Sequence, residues 1–357
     1  MTRATHEQAG TPAEAGGGPD AALIAFVGRS GLVAGRARFE RLPGGVSSDI
    51  WLVRHEGGPF CVKRALAQLR VAAEWHAPVE RNAWEARWFA VVAAFMPESV
   101  PRILYHEAQA GMFAMQYLDP GRYQNWKALL MRGEVDVGTA AEVGRRLARI
   151  HAQTARSADL AAQFSTDAIF HAIRIEPYLL ATARAHPDLR SALEHLAERT
   201  ERTKKTLVHG DVSPKNILLG PAAPVFIDAE CAWYGDPAFD LCFCLKHLLL
   251  KCLVAKTATH ELLEAFNILT ASYLAGVDWE ERSEFEARAA SLLPGLFLAR
   301  VDGKSPAEYV TLDRDRELVR AAARPLLRDP PHRIAPVAEA WHRALREGET
   351  GLGHHHE

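Results

Sequence analysis

The chain has 357 residues, of which 48% are hydrophobic and 24% charged, and its 42 Lys and Arg residues nearly balance 44 Asp and Glu residues. This composition is typical of a globular protein whose length favours two lobes or domains. The formal net charge of −2 argues against binding of nucleic acid through bulk positive charge. No apolar run reaches the ~20 residues of a membrane helix, and no apolar segment follows a basic start, so we expect a cytoplasmic protein with neither nucleic acid nor membrane as a partner.

The five cysteines are sparse and contain no CxxC pair; they are Cys61, Cys231, Cys242, Cys244 and Cys252. A thiolate metal site needs several ligands at turn-like spacing. We therefore expect buried, reduced thiols that pack as small hydrophobic residues.

The first half of the chain predicts a small sheet. Residues 1–20 have no hydrophobic periodicity and are expected to be a disordered tail. Runs at 37–42, 49–54 and 59–64 are bounded by Gly and Pro, which indicates antiparallel strands. A helix at about 79–95 and two more runs, at 102–106 and 112–118, complete a β-rich N-terminal lobe assigned to residues 21–118.

From residue 119 the pattern becomes helical, which predicts a larger C-terminal lobe over residues 119–347 and a flexible tail at 348–357. Pro294 and Gly295 are expected to kink or split one helix. Short strand-like runs at 206–209, 216–219 and 225–228 interrupt the helices. The predicted fold is α+β, and the predicted helices cover residues 140–152, 188–204, 239–251, 258–275, 283–300 and 313–327.

The most polar turn lies in this β insert and reads HGDVSPKN, from His209 to Asn216. Asp228 follows Asp211 by seventeen positions at the end of an apolar run. Phosphoryl transfer needs a carboxylate beside the attacking hydroxyl and oxygen ligands for Mg²⁺. Asp211, Asn216 and Asp228 supply those groups, although Asp and Asn are also common in ordinary turns.

HGDVSPKN, the following IDAE and the later GDPAFDL together resemble the motifs of the aminoglycoside phosphotransferase family, a branch of the protein-kinase-like fold. The resemblance implies transfer of the γ-phosphate of MgATP to a hydroxyl of a small-molecule acceptor. It makes Asp211 the catalytic base, Asn216 and Asp228 the Mg²⁺ ligands, and Asp240 a brace for the catalytic loop. His209 has a structural role in the same pattern.

An ATP site requires cationic and backbone contacts in the N-terminal lobe. Lys63 lies late in an early strand, where this fold places the lysine that neutralises phosphates and pairs with a helix glutamate. Glu80 and Glu85 compete for that pairing, and Glu85 is preferred because it lies beside the apolar stripe of its helix. Glu80 stays the alternative.

Two further segments are assigned to the nucleotide. The turn between the first two strands departs from GxGxxG and fits an ordinary hairpin turn equally well, but its glycines and serines suit a phosphate-covering loop. Resemblance makes the end of the last strand the adenine-contacting linker. The assigned residues are Gly44, Gly45, Ser47, Ser48, and the backbone of Gln116 and Leu118.

The acceptor is less well defined. The aromatic segment after the metal motif, the run KRAL at 63–66 and Arg70 are similar to the methylthioribose kinase branch of the superfamily. Glu230, Trp233 and Arg300 are the candidate acceptor contacts, with a surface position the alternative for Arg300. Resistance and metabolic kinases share this scaffold.

Three other functions are alternatives to this assignment. A sugar kinase resembling methylthioribose kinase is the alternative within the class. A catalytically silent nucleotide-binding module is the alternative outside it. A protein kinase is disfavoured, because only twelve positions separate Asp228 from Asp240 and leave little room for a regulatory loop.

Overall fold

The computed structural model describes residues 18–43, 48–66 and 80–350. Helix α1, Ala21–Ser30, opens the described chain and is capped by Asp20, whose Oδ1 accepts from Leu23 N at 2.8 Å. Its apolar face packs beneath the sheet. The sequence analysis missed this helix and assigned Asp20 to a disordered tail.

The N-terminal sheet has five antiparallel strands in the order β1-β2-β3-β5-β4. The strands agree with the predicted runs to within two residues at each end. Their register places Lys63 between Ile50 and Phe113. The bounds are β1 Arg38–Leu42, β2 Ser48–Arg54, β3 Phe60–Ala65, β4 Ile103–Glu107 and β5 Met112–Gln116.

Helix α2, Arg81–Ala93, follows β3 and precedes β4. It buries Glu85 and Phe89 beside the sheet, and Trp88 lies edge-on to His209 with ring centroids 4.9 Å apart. The helix therefore contacts both the sheet and the segment from His209 to Asn216, which we refer to as the catalytic loop.

Eleven further described helices form the rest of the fold. All fifteen residues of α9 are buried, and Asp236 caps this helix with Pro237 in its first turn, a favoured start for a helix. Helix α11 is continuous through Pro294, so the split expected there is absent over the described residues. The bounds are α3 Trp126–Met131, α4 Val137–Thr154, α5 Ala158–Gln163, α6 Asp167–Phe170, α7 Ala181–Ala185, α8 Arg190–Arg202, α9 Pro237–Lys251, α10 Thr259–Leu274, α11 Arg282–Asp302, α12 Asp313–Arg328 and α13 Ala335–Thr350.

Several elements of this half were not predicted from the sequence, and two of them extend or join helices. A π-helix, His171–Leu180, joins α6 to α7. Helix α13 continues to Thr350, three residues into the segment expected to be a flexible tail.

Five short strands of the described chain lie outside the N-terminal sheet: β6 precedes α3, and β7 to β10 hold the loops between α8 and α9. The bounds are β6 Gln124–Asn125, β7 Thr206–Val208, β8 Ile217–Leu219, β9 Pro224–Phe226 and β10 Trp233–Gly235. Strands β6, β8 and β9 form one sheet and β7 pairs with β10. The β8–β9 hairpin brings Asn216 next to the segment leading to Asp228, since Ile227 N donates to Asn216 O at 3.0 Å.

The five cysteines are free and buried, as their spacing predicts. Across the described helices, none combines the length and the apolar composition needed to cross a bilayer.

Candidate active site

Lys63 of strand β3 contacts helix α2 through Glu85 and the segment after β9 through Asp228. Its ammonium is almost fully buried and lies 2.7 Å from Glu85 Oε2 and 2.5 Å from Asp228 Oδ1. Glu85 lies 22 positions and Asp228 lies 165 positions after Lys63 in the sequence. Of the two competing glutamates, the structure brings Glu85 to Lys63.

The charges in this group determine its titration. Burial lowers the pKa of Lys63, but Asp228 and Glu85 outweigh it and hold that pKa above its usual range. Burial raises the pKa of Glu85 to about 7 in spite of Lys63. Burial alone would raise the pKa of Asp228, but Lys63 and Lys215 hold it well below its usual value. Asp228 therefore stays ionised beside Lys63.

The catalytic loop is fixed from below by Asp240 in the first turn of α9. Its two carboxylate oxygens accept from His209 N at 2.7 Å and from Gly210 N at 2.8 Å. His151 Nε2 lies 3.3 Å from the same carboxylate. The bracing role expected of Asp240 corresponds to these contacts.

His209 holds the loop from the other side. Its Nδ1 accepts from Asp211 N at 3.2 Å and its Nε2 donates to Ile227 O at 3.1 Å. Burial lowers the pKa of His209, so the neutral ring fits both hydrogen bonds. The imidazole links the catalytic loop to the strand that precedes Asp228.

Asp211 is buried at the end of this loop and is paired with two cations. Arg174 Nη2 lies 2.9 Å and Lys215 Nζ lies 3.3 Å from its Oδ2. Burial opposes ionisation, but Lys215 and Arg174 hold the pKa of Asp211 below its usual value. Both cations contact Oδ2, so Oδ1 is the carboxylate oxygen that these two contacts leave available.

Asn216 is oriented by the catalytic loop itself. Its Nδ2 donates to Asp211 O at 3.0 Å, which leaves Oδ1 as the side-chain oxygen that suits a metal ion. The amide and Asp228 are the two candidate Mg²⁺ ligands, and they flank the β8–β9 hairpin, with Asn216 directly before β8 and Asp228 after β9.

The remaining nucleotide candidates are only partly described. Gly44, Gly45 and Ser47 lie outside the described residues. Ser48 begins β2 and is buried, and among the described residues its hydroxyl has no hydrogen-bond partner. Gln116 N donates to Arg102 O at 2.8 Å, so any base contact in the linker falls to the Gln116 carbonyl or to Leu118.

The three acceptor candidates have different environments. Glu230 Oε2 accepts a hydrogen bond from Arg81 Nε at 3.0 Å, which links the start of α2 to the segment that follows Asp228. Trp233 is buried in β10, stacked on Phe170 with centroids 4.1 Å apart, and its predicted acceptor role finds no support in these contacts. Arg300 is buried rather than at the surface.

Several residues near Asp211 were missed by the sequence analysis. Arg174 lies in the π-helix, and its only sequence signal is an arginine between Ile173 and Ile175. Lys215 lies inside the quoted motif without a role assigned to it. Lys246 interrupts the apolar run of α9, a signal that was present but unused.

A comparison of the sequence with known protein families shows which family the chain belongs to. The sequence pattern of the phosphotransferase enzyme family matches residues 38–285, a range that contains Lys63, Glu85, Asp211, Asn216 and Asp228. The chain belongs to this phosphotransferase enzyme family.

Individual relatives are more distant. The chain is 25% identical over 245 residues to methylthioribose kinase of Pectobacterium atrosepticum, covering 59% of this chain and 60% of that protein. It is 24% identical over 221 residues to methylthioribose kinase of Bacillus cereus, covering 54% and 55%. The chain thus spans less than two thirds of the length of these relatives.

A solved structure shares the fold. The choline kinase of Cryptosporidium parvum superposes with a TM-score of 0.50, covering 92% of this chain and 96% of that chain at 10% identity. This likeness confirms the predicted two-lobed kinase-like fold.

Proposed function

We propose that this phosphotransferase transfers the γ-phosphate of MgATP to a hydroxyl group of a small molecule. The observation that carries the proposal is the meeting of Lys63, Glu85 and Asp228 within 2.8 Å contacts, next to a loop that presents Asp211. A phosphate-binding lysine, a metal ligand and a base are the parts that phosphoryl transfer requires.

The residues present fit MgATP. Lys63 is a buried cation in contact with Asp228, and the Ser48 hydroxyl, which has no hydrogen-bond partner among the described residues, supplies a further donor. Among the described residues, no three His, Cys, Asp or Glu side chains cluster as a closed metal cage. Asn216 Oδ1 and Asp228 would hold Mg²⁺, which commonly takes few protein ligands and completes its shell with phosphates and water. When bound, MgATP supplies the phosphoryl group and the charge that neutralises it.

Asp211 would orient the acceptor and remove its proton. Its Oδ1 would accept a hydrogen bond from the acceptor hydroxyl, while Arg174 and Lys215 fix Oδ2. The acceptor oxygen forms a bond to the γ-phosphorus, the bond from that phosphorus to the β,γ-bridging oxygen breaks, and the hydroxyl proton passes to Asp211. The products are ADP and a phosphate ester.

The test is Mg²⁺-dependent release of ADP over a panel of aminoglycosides, methylthioribose, choline, homoserine and hydroxy acids. Asp211→Asn is the control, with binding of MgATP measured in parallel. We expect one acceptor to give turnover that this substitution abolishes without loss of nucleotide binding. Full turnover by Asp211→Asn would contradict the assignment.

A sugar kinase acting on methylthioribose is the second candidate, and the similarity of the chain to methylthioribose kinases at about 25% identity favours it. Because the chain spans only three fifths of that relative's length, the acceptor is a separate question from the reaction. Turnover of methylthioribose, in preference to a polycationic antibiotic, would support it.

A silent nucleotide-binding module would bind MgATP and turn over no acceptor. The presence of the lysine, the base and both metal ligands supports an active enzyme instead, since a silent protein needs none of them.

A further inference from the structure

A group of buried basic side chains lies in the helical lobe, on helices α9 and α11. Helix α9, which begins at the brace of the catalytic loop, carries Lys246, His247 and Lys251, and all three are buried. Arg300 of α11 is buried close to them. We refer to Lys246, His247, Lys251 and Arg300 as the basic cluster.

Lys246 has aromatic neighbours but no ionic partner. Its Nζ lies 3.1 Å from the ring centroid of Phe243 and 4.5 Å from that of Tyr178. Within the described part of the chain, no acceptor lies within hydrogen-bonding distance of this fully buried amine. Burying a cationic group without a partner is costly.

Arg300 is only partly satisfied. Its Nη1 donates to Ser305 O and lies 3.4 Å from the Tyr178 hydroxyl. Its Nε, by contrast, has no partner among the described residues. Two buried basic groups on different helices thus converge on Tyr178 with donors left over.

The cluster is connected to the catalytic base. Arg174, which pairs with Asp211, lies with Cζ 5.5 Å from the Phe243 ring. The Phe243 and Tyr178 rings are 5.3 Å apart. Lys246 and Arg174 therefore share the Phe243 ring, and Arg174 in turn pairs with Asp211.

The second side of the cluster surrounds Tyr309. Lys251 Nζ lies 3.5 Å from its ring centroid, and His247 Nδ1 lies 3.3 Å from its hydroxyl. Burial lowers the pKa of Lys251 to about 7 and, together with Arg300, lowers that of Lys246 and His247. Asp211 opposes this lowering at Lys246 and Glu308 opposes it at Lys251, but neither carboxylate outweighs burial.

The nearby carboxylates do not compensate for the cluster. Asp211 is already paired with Arg174 and Lys215. Glu308 pairs with Lys127 and is mostly exposed. The acceptor side of the site is thus basic, the opposite of what a polycationic acceptor requires.

We infer that the acceptor carries an anionic group, a carboxylate or a phosphate, which the basic cluster binds while a hydroxyl of the same molecule reaches Asp211. This inference rests on the proposed phosphotransferase function. The anion supplies the partners that Lys246 Nζ and Arg300 Nε lack, and such a charge-assisted hydrogen bond is stronger than a neutral one. A polycationic acceptor would meet repulsion at the same place.

The first test is thermal unfolding of the full chain in sodium acetate, sodium phosphate and sodium chloride at equal ionic strength. The variants are Lys246→Met and the control Lys205→Met, which replaces an exposed lysine. We expect Lys246→Met to raise the Tm in chloride, and acetate or phosphate to raise the Tm of wild type and Lys205→Met by more than that of Lys246→Met. Acetate and phosphate distinguish the two kinds of anion. Equal anion responses in all three proteins would overturn the inference.

The second test compares acceptors of one scaffold: glucuronate and glucose 6-phosphate against glucose and glucosamine, with kanamycin as a polycation. We expect turnover or binding to favour the anionic members at least tenfold, and Lys246→Met to raise KM by more than it lowers kcat. Asp211-dependent turnover that prefers a neutral or cationic acceptor would overturn the inference and leave the phosphotransferase function intact. Failure of the chain to bind MgATP would contradict the function itself, while the anion response of the first test would still be measurable.

Discussion

Arg174 Nη2 lies 2.9 Å from Oδ2 of Asp211, so the carboxylate assigned as the base is paired with a residue that lies outside every motif quoted from the sequence. The contact fixes one oxygen of the carboxylate. It also places a positive charge beside the group proposed to accept a proton, and this charge lowers the pKa of that group.

The first prediction concerns Arg174→Met. Removing the guanidinium removes a charge that lowers the pKa of Asp211, so that pKa rises. Because a base works only when deprotonated, the acidic limb of the kcat/KM profile moves to higher pH. The profile is measured by ADP release, with Arg184→Met, an exposed arginine paired to Glu176, as the control. An unmoved acidic limb would show that Arg174 does not tune the base.

The second prediction concerns Gly210→Ala. Gly210 has φ of +79°, and a Cβ there would lie 2.5 Å from Cys231 O. The control, Gly111→Ala, has φ of +61° and open space around the added atom, so it carries only the backbone strain of about 1–2 kcal/mol. We expect Gly210→Ala to lose more stability than the control in urea unfolding, and to lose turnover as well. Equal losses in the two variants would contradict the close approach.

The third prediction concerns Asp240→Ala. The change leaves the buried amides of His209 and Gly210 without acceptors, which costs about 2–6 kcal/mol of unfolding free energy. Asp313→Ala, at an almost fully exposed carboxylate, should change that free energy by less than about 0.5 kcal/mol. Urea unfolding measures both. A small effect at Asp240 would mean that the loop finds other acceptors.

The fourth prediction concerns the pH dependence of stability. Glu85 has a folded-state pKa of about 7, raised from 4.5 mainly by burial. Between these values the unfolded chain has released the proton that the folded chain keeps, so the stability that the protonated form contributes at low pH is lost as pH rises through about 7. Glu85→Gln lacks this dependence. The Tm of wild type minus that of Glu85→Gln should fall from pH 4.5 to 7, and a constant difference would refute the titration.

The motifs of the catalytic loop were readable from the sequence because their residues lie close together along the chain. Asp211, Asn216 and Asp228 are joined by one hairpin, and the preference for Glu85 followed from the period of a single helix. The structure adds the contact between Lys63 and Asp228, across 165 positions, which no local pattern contains.

Other parts were missed for physical reasons that differ. Helix α1 has a readable signal, since Leu23, Phe26 and Val27 lie on one face after a capping Asp20, but a polar, Gly-rich segment precedes it. Strand β6 has two residues, too few for any period. Arg174 depends on a π-helix, whose register local propensity does not predict.

Helix α9 carries two kinds of information along its length. Its first turn carries Asp240, which accepts hydrogen bonds from the backbone amides of His209 and Gly210 and so fixes the catalytic loop. Its later turns, from the third onward, carry Lys246, His247 and Lys251, which touch no backbone of that loop in the described contacts. If the basic cluster binds the acceptor as inferred, substitutions in those later turns would redirect the enzyme toward acceptors of another charge during evolution, while the reaction itself is inherited unchanged.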